Sequence, residues 1–192
     1  MVFDFFRVDI EATGNDQVLR PAGQPDISIA RYAGYDLSDV ALSHARQNLG
    51  GLGCTISLRH GDFLEGLRAN TERFDLIFCS FALHHLSSID KAVFFQLVYQ
   101  RLAENGILLL IDTMREENQD LQSYLDRYCE WLERDWTALP PVAVDAICNH
   151  VRSRDFPETT LVLCTMAANA GFNSHTEINR FRWHRTWRFD KA

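Results

Sequence analysis

Between residues 31 and 112 strand-like and helix-like periods alternate, and no other feature of the 192-residue chain narrows its fold as far. Parallel strands need crossover connections, and the crossover helices cover the faces of the sheet they join. The pattern predicts strands over Arg31 to Tyr35, Thr55 to Arg59 and Phe74 to Ser80, with a fourth, "ILLLIDT", after the turn "AENG". "FDLIFCS" is nearly all apolar, as a strand buried on both faces should be. Ser38 is a good N-cap for a helix through Leu49, whose Val40, Leu42, Ala45 and Leu49 can form one stripe before "GGLG" ends it. Ile89 to Leu102 reads as the next helix. The fold class is therefore α/β, a Rossmann-like open, mostly parallel, twisted sheet with helices on both faces.

After Asp112 the period changes. "LQSYLDRYCEWLERDW" places Leu121, Tyr124, Leu125, Tyr128 and Trp131 at helical spacing, stopped by Pro140 and Pro141, and a second helical stretch covers Val142 to Val151. Residues 113–156 are read as a helical insertion, a lid over the mouth of the ligand crevice. Tyr124, Tyr128, Trp131 and Trp136 either line an apolar pocket there or pack the helix on the domain. Thr159 to Ala170 is a helix with Gly171 at its C-cap. The tail "EINRFRWHRTWRFD" alternates, with Phe181, Trp183, Trp187 and Phe189 on one face, which suggests one or two terminal strands. Arg180, Arg182, Arg185 and Arg188 read as a solvated strand face.

A chain of this length closes one ordinary core, so residues 1–192 are expected to be a single domain. The net charge of -7 argues against nucleic acid as a partner, since phosphate binding needs clustered cations. The longest apolar run, Ile107 to Ile111, is too short for a bilayer, so no membrane partner is expected and the location is read as cytoplasmic. Five scattered cysteines lack the paired spacing of zinc or redox sites; reduced thiols are expected, and no metal site.

The chemistry concentrates at strand ends. In an open parallel sheet the ligand crevice lies beyond the carboxyl ends of the strands. Asp36 ends the first strand there, where a carboxylate can accept hydrogen bonds from both hydroxyls of a ribose, or alternatively cap the next helix. Asp62, in "HGDFLEG", ends the second strand on the same rim, and Ser80, in "FCSFALHHL", the third.

These strand ends, followed by "LAENGILLLIDT" and "AANAGF", resemble the class I S-adenosylmethionine-dependent methyltransferases, clearly over residues 31–112 and loosely over 157–189. The resemblance implies a seven-stranded sheet whose last strand is antiparallel, and S-adenosyl-L-methionine as cofactor. It also implies that Asp36 holds the ribose, Leu37 and Phe63 flank the adenine, Asp62 meets its amine, and Ser80 and Phe81 lie near the cofactor.

The family's glycine-rich loop is atypical here. In one register "VLRPAGQPDISIA" supplies it, keeping Val18, Leu19 and a cofactor-binding Gly23, but Arg20 stands at the family's acid position. From Gly23 to Asp36 are 13 positions, where a nucleotide-binding unit uses about 20. The other register uses "FFRVDIEATGND", with Asp9 or Glu11 as the acid and Gly14 in the loop, and then sets Pro21 and Pro25 inside the following helix.

Methyl transfer from a sulfonium is an in-line displacement in which positioning supplies most of the rate. His84, His85 and Asp112 are the candidate catalytic residues, any of which could take a proton from a small-molecule acceptor; a histidine in that turn can equally just satisfy local backbone groups. The leading reading is a small-molecule methyltransferase, with a homodimer as one expected assembly. Two others stand beside it: a methyltransferase-like protein without cofactor binding, and a nicotinamide dehydrogenase, which lacks its fingerprint and has little use for Asp62.

Overall fold

The computed structural model describes residues 31–192 apart from residue 52. Both registers of the glycine loop, with Gly23, Gly14, Asp9 and Glu11, lie outside the described residues. Within them are six strands in two sheets. Strands β1 (Arg31–Asp36) and β2 (Thr55–His60) pair in parallel, with Asp36 opposite His60. The second sheet holds β3 (Phe74–Ser80), β4 (Leu102–Thr113), β5 (Ser174–Phe181) and β6 (His184–Asp190) in the order β3-β4-β6-β5. β3 and β4 are parallel, and β6 runs antiparallel to both β4 and β5, so only the last strand is reversed. The architecture is α/β with a mixed sheet.

Local chemistry explains the boundaries. Ser38 caps α1 (Asp39–Leu49), its Oγ accepting from the Ala41 N–H at 3.2 Å. Asp62 caps α2 (Phe63–Ala69) by accepting from the Glu65 N–H at 2.9 Å. Gly66 lets that helix lie on β1: a Cβ there would fall 2.6 Å from the Tyr35 ring. Ser87 caps α3 (Ser88–Arg101), Asp120 caps α4 (Leu121–Asp135), and α5 (Pro141–Arg154) begins with a proline whose missing N–H is no loss at a first position. Thr159 caps α6 (Thr160–Ala170), which Gly171 ends at φ 111°.

Two apolar clusters form. The larger joins Cys79, Phe94, Phe95, Val98, Leu108, Leu110, Trp187 and Phe189 with Leu163, Cys164 and Ala167 of α6. The smaller unites α4 and α5 through Tyr124, Leu125, Tyr128, Trp131, Leu132, Val144, Cys148 and Val151, with Trp183 against it. Tyr124, Tyr128 and Trp131 are thus buried packing residues, and only Trp136 of the four aromatic candidates is exposed. Burial holds the Cys129 thiol at about 12 and that of Cys164 at about 11, so both stay protonated, as reduced structural cysteines do.

Four expectations need correcting. Leu76 is 51% exposed, so β3 is not buried on both faces along its length. Val40 is 68% exposed and leaves the α1 stripe to Leu42 and Leu49. The alternating tail is broken by a turn at Arg182 and Trp183, with Arg182 at φ 55°, which turns Phe181 out to solvent while Trp187 and Phe189 face the core. Arg185 shares that inner face, buried and paired with Glu116 and Glu177 at 3.1 Å each, so it does not belong to a solvated row.

Phe94 is fully buried between the rings of Phe63 and Phe95. Phe94→Ala is expected to cost about 3–5 kcal/mol in urea unfolding, and Val40→Ala less than about 0.5 kcal/mol.

Candidate functional site

The carboxyl ends of the strands carry the polar residues. Asp36 is buried, and its Oδ1 accepts the Ser38 N–H at 2.6 Å, closing the turn ahead of α1 while Ser38 does the capping. His60 reaches across to the Leu37 carbonyl at 2.9 Å, and Leu37 itself is 51% exposed on the rim. Asp62 follows β2 and is exposed. Asp36, Leu37, Asp62 and Phe63 therefore sit together on one rim, as the parallel pairing of β1 and β2 demands. Phe63 turns inward, its ring edge-on to Phe94 at 5.8 Å.

The second group lies beyond β3 and β4. Ser80 is buried at the end of β3, and Phe81 follows with φ 51°, a left-handed conformation that a bulky residue adopts only where the surroundings impose it. Here the Phe81 N–H donates to the Ile111 carbonyl at 2.8 Å and its ring meets His184. This tight exit swings a single turn of 3-10 helix, Leu83–His85, over the end of β4.

There Asp112 receives it. Its Oδ2 accepts the backbone N–H of His84 at 3.0 Å, and its Oδ1 accepts the Thr113 N–H at 2.7 Å and the Nδ1–H of the His84 ring. Burial alone would lower the pKa of His84, but the Asp112 carboxylate and, beyond it, Asp155 outweigh that and hold it above its ordinary value. With Nδ1 committed to Asp112, Nε2 faces the Asp155 carboxylate at 3.7 Å. His85 lies beside it, Nδ1 3.2 Å from Asp155, and His150 stands 4.0 Å from the same oxygen. Next to this cluster Tyr128 is hydrogen-bonded to Nε2 of His184 at 2.9 Å, and burial lowers that imidazole's pKa, so the neutral ring accepts the phenol proton.

Asp155, His150 and His184 were not singled out in the sequence, and Tyr128 was read only as one of the aromatics of the α4 stripe. Asp155 is 71 positions from His84 and is brought to it by a clamp. The Phe156 N–H donates to the His84 carbonyl at 2.8 Å, while the buried Lys91 ammonium holds the Phe156 carbonyl and, at 3.3 Å, Glu158. Arg115 adds a 2.7 Å bond to the Pro157 carbonyl. The only local signal was a helix end before "DFPE", which marks a turn and names no function.

Asp112→Asn keeps the shape of the side chain but removes the charge beside a buried imidazole. Breaking a buried pair in this way is expected to cost about 3–5 kcal/mol, read as a lowered midpoint in urea unfolding.

Residues 17–106 match the family described as methyltransferase domain. A carboxy-S-adenosyl-L-methionine synthase from Wolinella succinogenes is 26% identical over 160 residues, which are 80% of this chain and 61% of that protein. The chain thus spans less than two thirds of that relative's length. Among solved structures, PigF with SAH superposes at a TM-score of 0.52 with 17% identity, over 83% of this chain and 43% of PigF. An O-methyltransferase family 2 protein from Planctomyces limnophilus, in complex with apigenin, gives 0.56 with 14% identity, over 84% of this chain and 42% of that one. The order of the strand-end motifs, the single reversed strand and the methyltransferase-domain match over residues 17–106 are all consistent with the class I S-adenosylmethionine-dependent methyltransferases.

Proposed function

We propose that the protein is an S-adenosylmethionine-dependent methyltransferase acting on a small-molecule acceptor. The observation that carries this reading is the buried Asp36 carboxylate at the end of β1, level with the end of β2, which Asp62 follows. A buried acid at such a position suits two ribose hydroxyls, and the exposed Leu37 and the carboxylate of Asp62 suit an adenine face and its amine. The residues present therefore fit the nucleoside half of the cofactor. Bound there, the cofactor supplies an electrophilic methyl on a sulfonium.

The chain's own residues then bind, orient and exclude water. Ser80 and Phe81 lie at the exit of β3, beside the same crevice. Of the three catalytic candidates, Asp112 fixes the turn and His84 is enclosed between two carboxylates. His85, with a side chain 20% exposed, is the one open toward an acceptor. The α4–α5 pair acts as the lid in this reading, supported by the position of Asp155 at the end of α5. The seven-stranded sheet of the family, with six strands among the described residues, is part of the same proposal. So are a homodimer as one expected assembly and a cytoplasmic location, the latter supported by five reduced cysteines. No described helix is long and apolar enough to cross a membrane. The protein's kinship with a carboxy-S-adenosyl-L-methionine synthase and its likeness to O-methyltransferases both favour a small acceptor.

Asp36→Ala is expected to weaken S-adenosylmethionine binding tenfold or more, about 1.4 kcal/mol, in isothermal calorimetry. Unchanged affinity in folded protein would place the ribose elsewhere and leave Asp36 as a turn residue.

A further inference from the structure

The geometry points to a site for a divalent transition-metal ion, with zinc as the best match, between the exit of β3 and the end of α5. His84, His85 and Asp155 each present one ligand atom, and the three atoms lie within 4.8 Å of one another. Metal bonds of about 2.0–2.1 Å in tetrahedral array put neighbouring ligand atoms roughly 3.3 Å apart. His85 Nδ1 lies 3.2 Å from Asp155 Oδ1 and His84 Nε2 lies 3.7 Å from Asp155 Oδ2, so each imidazole stands near that spacing from one oxygen of the carboxylate.

Two independent features distinguish this cluster from a chance meeting of polar groups. First, Asp155 is 6% exposed, and its Oδ1, the oxygen facing His85 and His150, has no hydrogen-bond partner among the described residues. A buried carboxylate oxygen without a donor costs free energy that a cation would recover. Second, the outer support is built. Nδ1 of His84 donates to Asp112, which fixes the tautomer that leaves Nε2 as a ligand, the carboxylate–histidine–metal arrangement. The Phe156 N–H bond to the His84 carbonyl and the Lys91–Glu158 pair hold Asp155 in place from the other side.

The donor set selects the ion. Two imidazoles and one carboxylate suit zinc, iron(II) or similar ions, while magnesium and calcium take oxygen ligands. His150, half-buried and 4.0 Å from Asp155, is placed to become a fourth ligand, and the partial exposure of His85 and His150 gives the ion a way in. If the protein transfers methyl groups as proposed, a metal here would meet the acceptor where His85 opens to it. The site itself rests only on the residues named.

The test uses the full chain, stripped with a chelator and titrated with zinc and with cobalt(II), alongside a titration with S-adenosylhomocysteine. Expected are one metal ion per chain, visible absorption of the cobalt form typical of a nitrogen and oxygen site, and binding weakened at least tenfold in both Asp155→Asn and His85→Gln. His175→Ala, remote on β5, should bind as the parent does. Folding of each variant is checked by circular dichroism, and the two substitutions guard against loss through misfolding. Absence of stoichiometric metal binding by folded protein, or unchanged affinity in both variants, overturns the site. S-adenosylhomocysteine binding reports separately on the proposed function, so failure of one is distinguishable from failure of the other.

Discussion

The Asp112 carboxylate is the point on which the strand-end architecture turns. It stands where β4 leaves the sheet and gathers the N–H of Thr113 from its own strand, the N–H of His84 from the turn after β3, and the ring of His84. Three donors on one buried carboxylate are a charge-assisted cluster in surroundings where each bond is stronger than in water. The reach of Phe81 into a left-handed conformation is stabilised in the same way, its N–H held by Ile111 just before Asp112. Together with the Phe156 N–H on the His84 carbonyl, that anchor fixes the direction in which the His84–His85 turn leaves the sheet.

A second fixed point completes the geometry. The stretch from Asp155 to Thr159 is tied down by Lys91 and Glu158, by Arg115 on the Pro157 carbonyl, and by the bridge between Arg115 and Thr159. Burial lowers the pKa of Lys91, with Glu158 opposing, so the ammonium depends on its carboxylate and on the Phe156 carbonyl to stay charged. The α4–α5 unit, with its own aromatic core, is therefore attached to the rim both through Tyr128 on His184 and at its last residues, where it delivers Asp155 to the strand ends.

Much of this was legible in the sequence because it is local. The cap at Ser38 and the αL glycine at Gly171 follow from local chemistry within three or four residues, whereas Asp62, read only as a strand-end acid, also turns out to cap α2. The apolar run of β3 and the strand-end acids followed from period and position. What escaped was non-local. Asp155 meets His84 only through the clamp, and Arg185 enters the core because Glu116 and Glu177 arrive from elsewhere to neutralise it. Strict alternation in the tail concealed the turn at Arg182, since a period of two carries no mark of where a hairpin folds back. Phe63 shows a contact that no local signal announces: the aromatic after a strand-end acid also packs edge-on to Phe94 of α3.

The most direct measurement is calorimetric titration of the purified protein with S-adenosylhomocysteine. A strand-end rim built around Asp36 and Asp62 requires one nucleoside per chain with micromolar affinity. No heat of binding from protein shown to be folded would mean that the fold persists without its cofactor site, and would contradict the methyltransferase reading.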